Sequence, residues 1–316
     1  QAELSNKING MSMVASRNPI NSNQAKELKQ LGSTHVAVMP YAFMPDFDKP
    51  KLIFDNDRQW AGETLKGIES DVKRLQDQRL KVMIKPHIWV GSGAFTGNIS
   101  MTSEEDWIQF EEDYSSYILA FAKLAERHEV SIFCLGTELH KSVSKRLQFW
   151  CELISDVRKV YTGDLTYAEN WDTYDDVMFW DELDHIGIDA YFPISDVKTP
   201  NPEAINSTWD SLSKELKSFF EFYQTSILFT EYGYRSMDYA GKEPWDSSRN
   251  QNPSNELAQL NLLKGLHQNL WQEDWFAGGF LWKWFPFHKP ESNRHQNRFS
   301  IQGKAAEKYL NTFYSK

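Results

Sequence analysis

The sequence predicts an α/β chain that closes into a (β/α)8, or TIM, barrel, and three observations carry that prediction. Eight short β-forming stretches alternate with helical ones along 316 residues. That alternation builds a parallel sheet, and eight repeats suffice for closure. Two of the stretches, Val130-Ser-Ile-Phe-Cys-Leu-Gly-Thr-Glu138 and Ser226-Ile-Leu-Phe-Thr-Glu231, run apolar residues into an acid, and the carboxyl end of a strand is where such a barrel sets its chemistry. No Gly-rich phosphate fingerprint follows the first stretch, so the alternative of a doubly wound open sheet lacks support. The chain, 1–316, is read as one catalytic domain, a usual length for such barrels.

Each element has a local reason. Residues 7–14 form the first strand; Asn23 is read as the N-cap of a helix over 24–31, which Gly32 stops. Residues 34–41 are the second strand, ended by Pro40, and the Pro/Asp-rich 44–60 is a loop before a helix over 63–78. The third strand spans 81–89. Ser103-Glu-Glu-Asp-Trp107 starts a helix to Arg127, with acids in the first turn where the helix dipole favours them. After the strand that ends at Glu138 come a helix over 147–161, a fifth strand over 165–170, a short helical piece over 174–180 and a sixth strand over 185–191. Pro200 and Pro202 open a helix over 203–223 before the Glu231 strand. Residues 235–255, carrying Trp245, are too long for a simple turn and are read as an active-site loop. A helix over 256–271, a strand over 278–284 and a helix over 304–314 close the chain.

Composition narrows the partners. A net charge of −10 argues against nucleic acid, whose phosphates need a basic face. Aromatic residues make up 14% of the chain; flat rings with polar tips suit sugar faces, and equally an aromatic core. No apolar run is long enough to span a membrane. Of the two cysteines, Cys134 lies inside a strand and is expected to be a buried thiol. No cysteine spacing suits zinc, no His-Glu-x-x-His occurs and no Gly-x-Ser-x-Gly elbow occurs.

Strand alternation then asks which side chains share a face. Met83, Lys85, His87 and Trp89 fall together, as do Ile132, Cys134, Gly136 and Glu138; Gly187, Asp189 and Tyr191; Ile227, Phe229 and Glu231; and Gly278, Phe280, Trp282 and Trp284. If those faces point inward, the mouth collects His87, Trp89, Glu138, Tyr191, Glu231, Trp282 and Trp284 as candidate site residues, with Asn170 a candidate contact at the end of the fifth strand. Lys85 and Asp189, one layer deeper, read as a mutually satisfied charge pair, since a lone buried charge is too costly.

Leu135-Gly-Thr-Glu138, Glu169-Asn-Trp-Asp172, Gly187-Ile-Asp-Ala-Tyr-Phe-Pro193, Phe229-Thr-Glu-Tyr-Gly-Tyr234 and Gly279-Phe-Leu-Trp-Lys-Trp284 together resemble glycoside hydrolase family 113. The resemblance runs from the third strand through Phe299-Ser-Ile-Gln-Gly-Lys304. It implies a retaining hydrolase acting mainly on β-1,4-mannan, with Glu138 as acid/base and Glu231 as nucleophile, in agreement with the strand reading. Many members of the wider clan carry Asn before the acid/base; Thr137 stands there, as in the family's own pattern.

The expected chemistry is double displacement without cofactor or metal. Glu231 attacks the anomeric carbon while Glu138 protonates the leaving oxygen and then activates water. Tyr191 is the expected donor to Glu231, and Trp282 the platform under the reacting sugar. The alternatives are a hydrolase of another β-linked hexose polymer and a barrel that only binds glycans. A monomer is expected. The chain opens on Gln1 rather than Met, which leaves room for a lost export signal, and an extracellular, periplasmic or cell-surface location is the expectation.

Overall fold

The computed structural model describes residues 7–248, 252–289 and 296–315. Among them, eight strands close a parallel barrel: β1 (Ile8–Met13), β2 (His35–Val38), β5 (Lys81–Ile84), β7 (Ile132–Thr137), β8 (Asp164–Asn170), β9 (His185–Asp189), β10 (Ser226–Tyr232) and β11 (Phe276–Trp284). Strands β1 and β11 pair to seal it. The strands β3 (Tyr41–Met44), β4 (Ile53–Phe54) and β6 (His87–Val90) make a separate small sheet. The helices are α1 (Ser22–Gln30), α2 (Leu65–Asp77), α3 (Glu104–Arg127), α4 (His140–Lys145), α5 (Leu147–Arg158), α6 (Asn206–Tyr223), α7 (Glu256–Leu270) and α8 (Ala305–Tyr314).

The barrel is filled by an inner cluster of Ile8, Ala37, Met83, Ile132, Cys134, Ala168, Leu228 and Phe280. Large side chains such as Phe280, Leu228 and Met83 share it with small ones such as Ala37, Cys134 and Ala168, a mixture of volumes that lets the layers interdigitate. Phe280 fits because β1 offers Gly10 opposite, where an added Cβ would lie 2.5 Å from the Phe280 ring. Emptying that space by Phe280→Ala would cost about 3–5 kcal/mol. A larger apolar cluster, including Val36, Val82, Phe133, Leu135, Ile186, Ile188, Ile227 and Phe229, lies on the other face of the strands.

Several boundaries differ from the sequence reading, each for a physical reason. The first helix begins at Ser22 because Asn21, not Asn23, is the cap: its side chain accepts the Asn23 N–H, and Gln24 reaches back to the Asn21 N–H. The strands expected over 34–41 and 81–89 each break in two, at Pro40 and at Pro86. Proline offers no N–H to the barrel ladder, and the chain beyond each break pairs anew, Tyr41 with His87 and Phe43 with Trp89. The supposed loop over 44–60 thus contains β4. The helix expected over 147–161 is α5, which ends at Arg158, and a short helix that was not expected, α4, precedes it and meets it at Arg146. Among the described residues, no helix is long and apolar enough to cross a membrane. Cys134 and Cys151 are both free, and Cys134 is buried as expected.

Strand alternation also fails where it mattered most. Leu228 lies in the inner cluster while Ile227 and Phe229 pack outward, the reverse of the expected face. Glu231 nevertheless turns inward, because the β9–β10 register shifts between Phe229 and Glu231. On β7, Ile132 and Cys134 do point inward, but Gly136 faces the outer Tyr114 and Trp150. A second register shift falls between Cys134 and Thr137, and Glu138 itself has φ of +52°. Both acids therefore reach the mouth through irregularities that an ideal period of two does not carry.

Candidate active site

The two acids line one cavity of about 460 Å³, together with Phe95, Asn170, Tyr191, Trp245, Ser247, Trp282 and Phe299. Glu231 is 5% exposed and held from two directions. The Lys85 ammonium donates to its Oε1 at 2.5 Å, and the Tyr191 hydroxyl donates to its Oε2 at 2.7 Å. Lys85 also donates to both oxygens of Asp189, at 3.0 Å and 3.1 Å, and Thr230 donates to Asp189 Oδ1 at 2.8 Å. The buried pair expected from the sequence is present, with a further contact that the sequence reading missed: Lys85 reaches the candidate nucleophile.

Electrostatics separate the two acids. Burial raises the Glu138 carboxyl well above the ordinary range; the charges of Asp189 and Glu231 and a hydrogen bond with Asp189 raise it further, against a smaller pull from Lys85. Burial and Asp189 also push Glu231 upward, but there Lys85 and Tyr191 oppose them at hydrogen-bond distance. Burial works against the charge on Lys85 as well, and the carboxylates of Asp189 and Glu231 outweigh it, so its pKa is raised. Both carboxyls thus end above the ordinary range, Glu138 well above it and Glu231 less far, so Glu231 gives up its proton first, the order that nucleophile and acid require.

His87 sits beside this pair with its Nε2 4.0 Å from Glu231 Oε1, between the rings of Tyr41 and Trp282. Burial, helped by Lys85, depresses its pKa well below the usual value, so it stays neutral near pH 7. Asn170 lines the cavity and donates to Asp172 at 2.9 Å. Trp282 lies between this cavity and a second one of about 570 Å³, lined by Tyr41, Phe43, Asn56, Gln59, Trp60, Trp89 and Lys283 among others.

Two expected residues do not join the acids. Trp89 is 57% exposed and lines only the second cavity, because the break at Pro86 carries it outward on the small sheet. Trp284 is 3% exposed and packs in the outer cluster. The β1–β11 pairing jumps from Ser12 opposite Trp282 to Met13 opposite Trp284, which turns Trp284 away from the mouth. Conversely, Phe95, Trp245, Ser247 and Phe299 were not singled out as site residues, although Trp245 lay in the loop read as belonging to the site. Residues 249–251 of that loop lie outside the described residues. Trp245 stacks on Trp171 at 5.0 Å, which extends the wall beyond Asn170.

Residues 14–304 match the model for Glycoside Hydrolase Family 113. The chain belongs to this family. Family 113 thus gives the paired acids their context, and the chain is a glycoside hydrolase. No curated protein sequence matches it. Among solved structures, it resembles the family 113 β-mannanase AaManA from Alicyclobacillus acidocaldarius in complex with ManMIm, with a TM-score of 0.85 and 24% identity over 98% of this chain and 97% of that one. A second family 113 β-1,4-mannanase gives 0.84 and 22%, over 98% and 99%. A β-glucuronidase from Faecalibacterium prausnitzii gives 0.63 and 12%, over 98% of this chain and 49% of that one. At such identities the likeness is one of fold.

Proposed function

We propose that this family 113 hydrolase is an endo-acting, retaining β-1,4-mannanase. The observation that carries the reading is a pair of carboxyl groups in one cleft, of which Glu231 has an ammonium on one oxygen and a phenol on the other while Glu138 has neither. Glu231, bracketed by Lys85 and Tyr191, is the nucleophile that bonds to the anomeric carbon and forms a glycosyl-enzyme. Glu138, whose proton is retained, gives it to the departing glycosidic oxygen and then takes one from the water that releases the sugar. Trp282 is the platform under the reacting sugar, with His87 and Asn170 as polar contacts.

Trp282 lines both the cavity that holds the two acids and the second cavity, so the substrate chain runs from one into the other, with the second cavity taking the glycone side. A cleft open on both sides of the cut supports internal attack. The mannan preference is supported by family membership and by the β-1,4-mannanases that share the fold. On this reading the enzyme works outside the cytoplasm, where a polysaccharide too large to cross a membrane is found, and as a monomer with its cleft complete in one chain.

The test is digestion of linear β-1,4-mannan beside β-1,4-glucan, with products sized over time and the first-formed anomer read by proton NMR. The expected result is a spread of manno-oligosaccharides whose new reducing ends are β. Mannose released alone from chain ends, an α product, or a preference for glucan would each contradict the corresponding part of the proposal.

A further inference from the structure

Another carboxylate lies just behind the cleft, on the face of β8 that is turned toward the helices. Glu169 is fully buried. Its surroundings are aromatic: Tyr167 packs against Trp150, Phe179 and Trp180, with ring centroids 5.4 Å, 5.6 Å and 6.1 Å away. A carboxyl group in such a layer is costly unless its oxygens find donors. Three are present, the Tyr167 hydroxyl at 3.0 Å, the Asn170 backbone N–H at 2.9 Å and the Thr173 hydroxyl at 3.1 Å.

The Tyr167 oxygen, while donating to Glu169, accepts the backbone N–H of Leu139 at 2.7 Å. Leu139 follows Glu138, whose φ of +52° is a left-handed conformation that residues other than glycine seldom adopt. The N–H of Glu138 donates to the Ala168 carbonyl at 2.7 Å. Two consecutive amides at the strained position are therefore tied to β8, one directly and the other through a phenol to a buried acid.

We propose that Glu169 and Tyr167 form a relay that positions Glu138: the carboxylate fixes the phenol, the phenol holds the Leu139 amide, and that amide maintains the left-handed turn aiming Glu138 into the cleft. Through the Asn170 N–H, the same carboxylate also sets the backbone of a residue lining the cavity. The relay rests on the reading of Glu138 as acid/base. Burial raises the Glu169 carboxyl to about 7, with Asp189 adding to the rise while the Asn170 N–H and the Tyr167 and Thr173 hydroxyls oppose it. Its charged form, which accepts all three donors, prevails above that pH.

The test uses kcat/KM on aryl β-glycosides of the accepted sugar with leaving groups of rising pKa, because only a poor leaving group needs a proton from Glu138. Tyr167→Phe keeps the ring and deletes the link. It should lose roughly tenfold on the poorest leaving group, about one hydrogen bond's worth, and approach the parent on dinitrophenyl substrates. Glu169→Gln, which retains an acceptor for the phenol, should give a smaller loss of the same shape. The double variant should show no steeper leaving-group dependence than Tyr167→Phe, since toward Glu138 the two groups act in series. A loss equal for every leaving group, or no loss, overturns the relay. Glu138→Gln on the same series separates the two readings. A steep dependence there beside a flat one for Tyr167→Phe sinks the relay alone, whereas a flat dependence for Glu138→Gln sinks the acid/base assignment and the relay with it.

Discussion

The carboxyl ends of β7 and β10 carry the same residue type and treat it in opposite ways. Glu231 lies within a strand, nearly excluded from solvent, with an ammonium on one oxygen and a phenol on the other. Glu138 lies one residue past its strand, half-buried, in a left-handed turn, and its side-chain partner is another acid, Asp189. What the contrast teaches is that neither sequence position nor burial alone assigns a role. The group hydrogen-bonded directly to each carboxyl does, Asp189 for one, Lys85 and Tyr191 for the other.

The sharpest way to test the contrast is to remove the ionised member. Glu231→Ala should lower kcat/KM by at least about 10⁴-fold whatever the leaving group. Added azide should restore turnover and yield the α-glycosyl azide, read by NMR; the β-azide would reverse the two roles. A second approach strips the cation from the pair. Lys85→Met leaves Asp189 and Glu231 buried without it, and urea unfolding should record a loss of about 3–5 kcal/mol. In the protein that still folds, the acidic limb of the kcat/KM profile should move to higher pH, because Glu231 then holds its proton longer. An unmoved limb would mean that Lys85 does not keep Glu231 ionised.

The smallest effect concerns stability rather than rate. The folded state raises the Glu138 pKa, so it binds more protons than the unfolded chain between the two values. Stability from this group therefore falls as pH rises from the unfolded value, near 4.3, through the raised one. Glu138→Gln has no such penalty. Its Tm should exceed the parent's by a few degrees at pH 8 and converge with it toward pH 4, by scanning calorimetry. Equal Tm values across that range would show that Glu138 is not strained toward its neutral form.

The barrel was legible because apolar runs and helix caps are local signals, and both acids were legible because each closes such a run. The Tyr191 contact to Glu231 followed from Tyr191 and Asp189 sharing a face, and β9 keeps regular alternation to Asp189. What could not be read were departures from that period. On β10, Ile227 and Phe229 lie opposite the expected face, the shift beside Cys134 turned only Gly136 away from the face of Glu138, and the one between Ser12 and Met13 removed Trp284. Lys85 was placed correctly against Asp189, but its second bond needs the barrel closed before Glu231 comes within reach. Phe95 and Trp245 sit on loops, where no period exists to fix a direction.

The two prolines that end β2 and β5 have a wider consequence. Because Tyr41, Phe43 and Trp89 belong to strands hydrogen-bonded to each other rather than to the closed ring, that rim of the binding groove can be altered without breaking a strand of the barrel. Substitutions at Phe43, Trp60 and Trp89, which line the second cavity, would retune how the sugar chain is gripped there, while the barrel beneath and its paired acids keep their geometry.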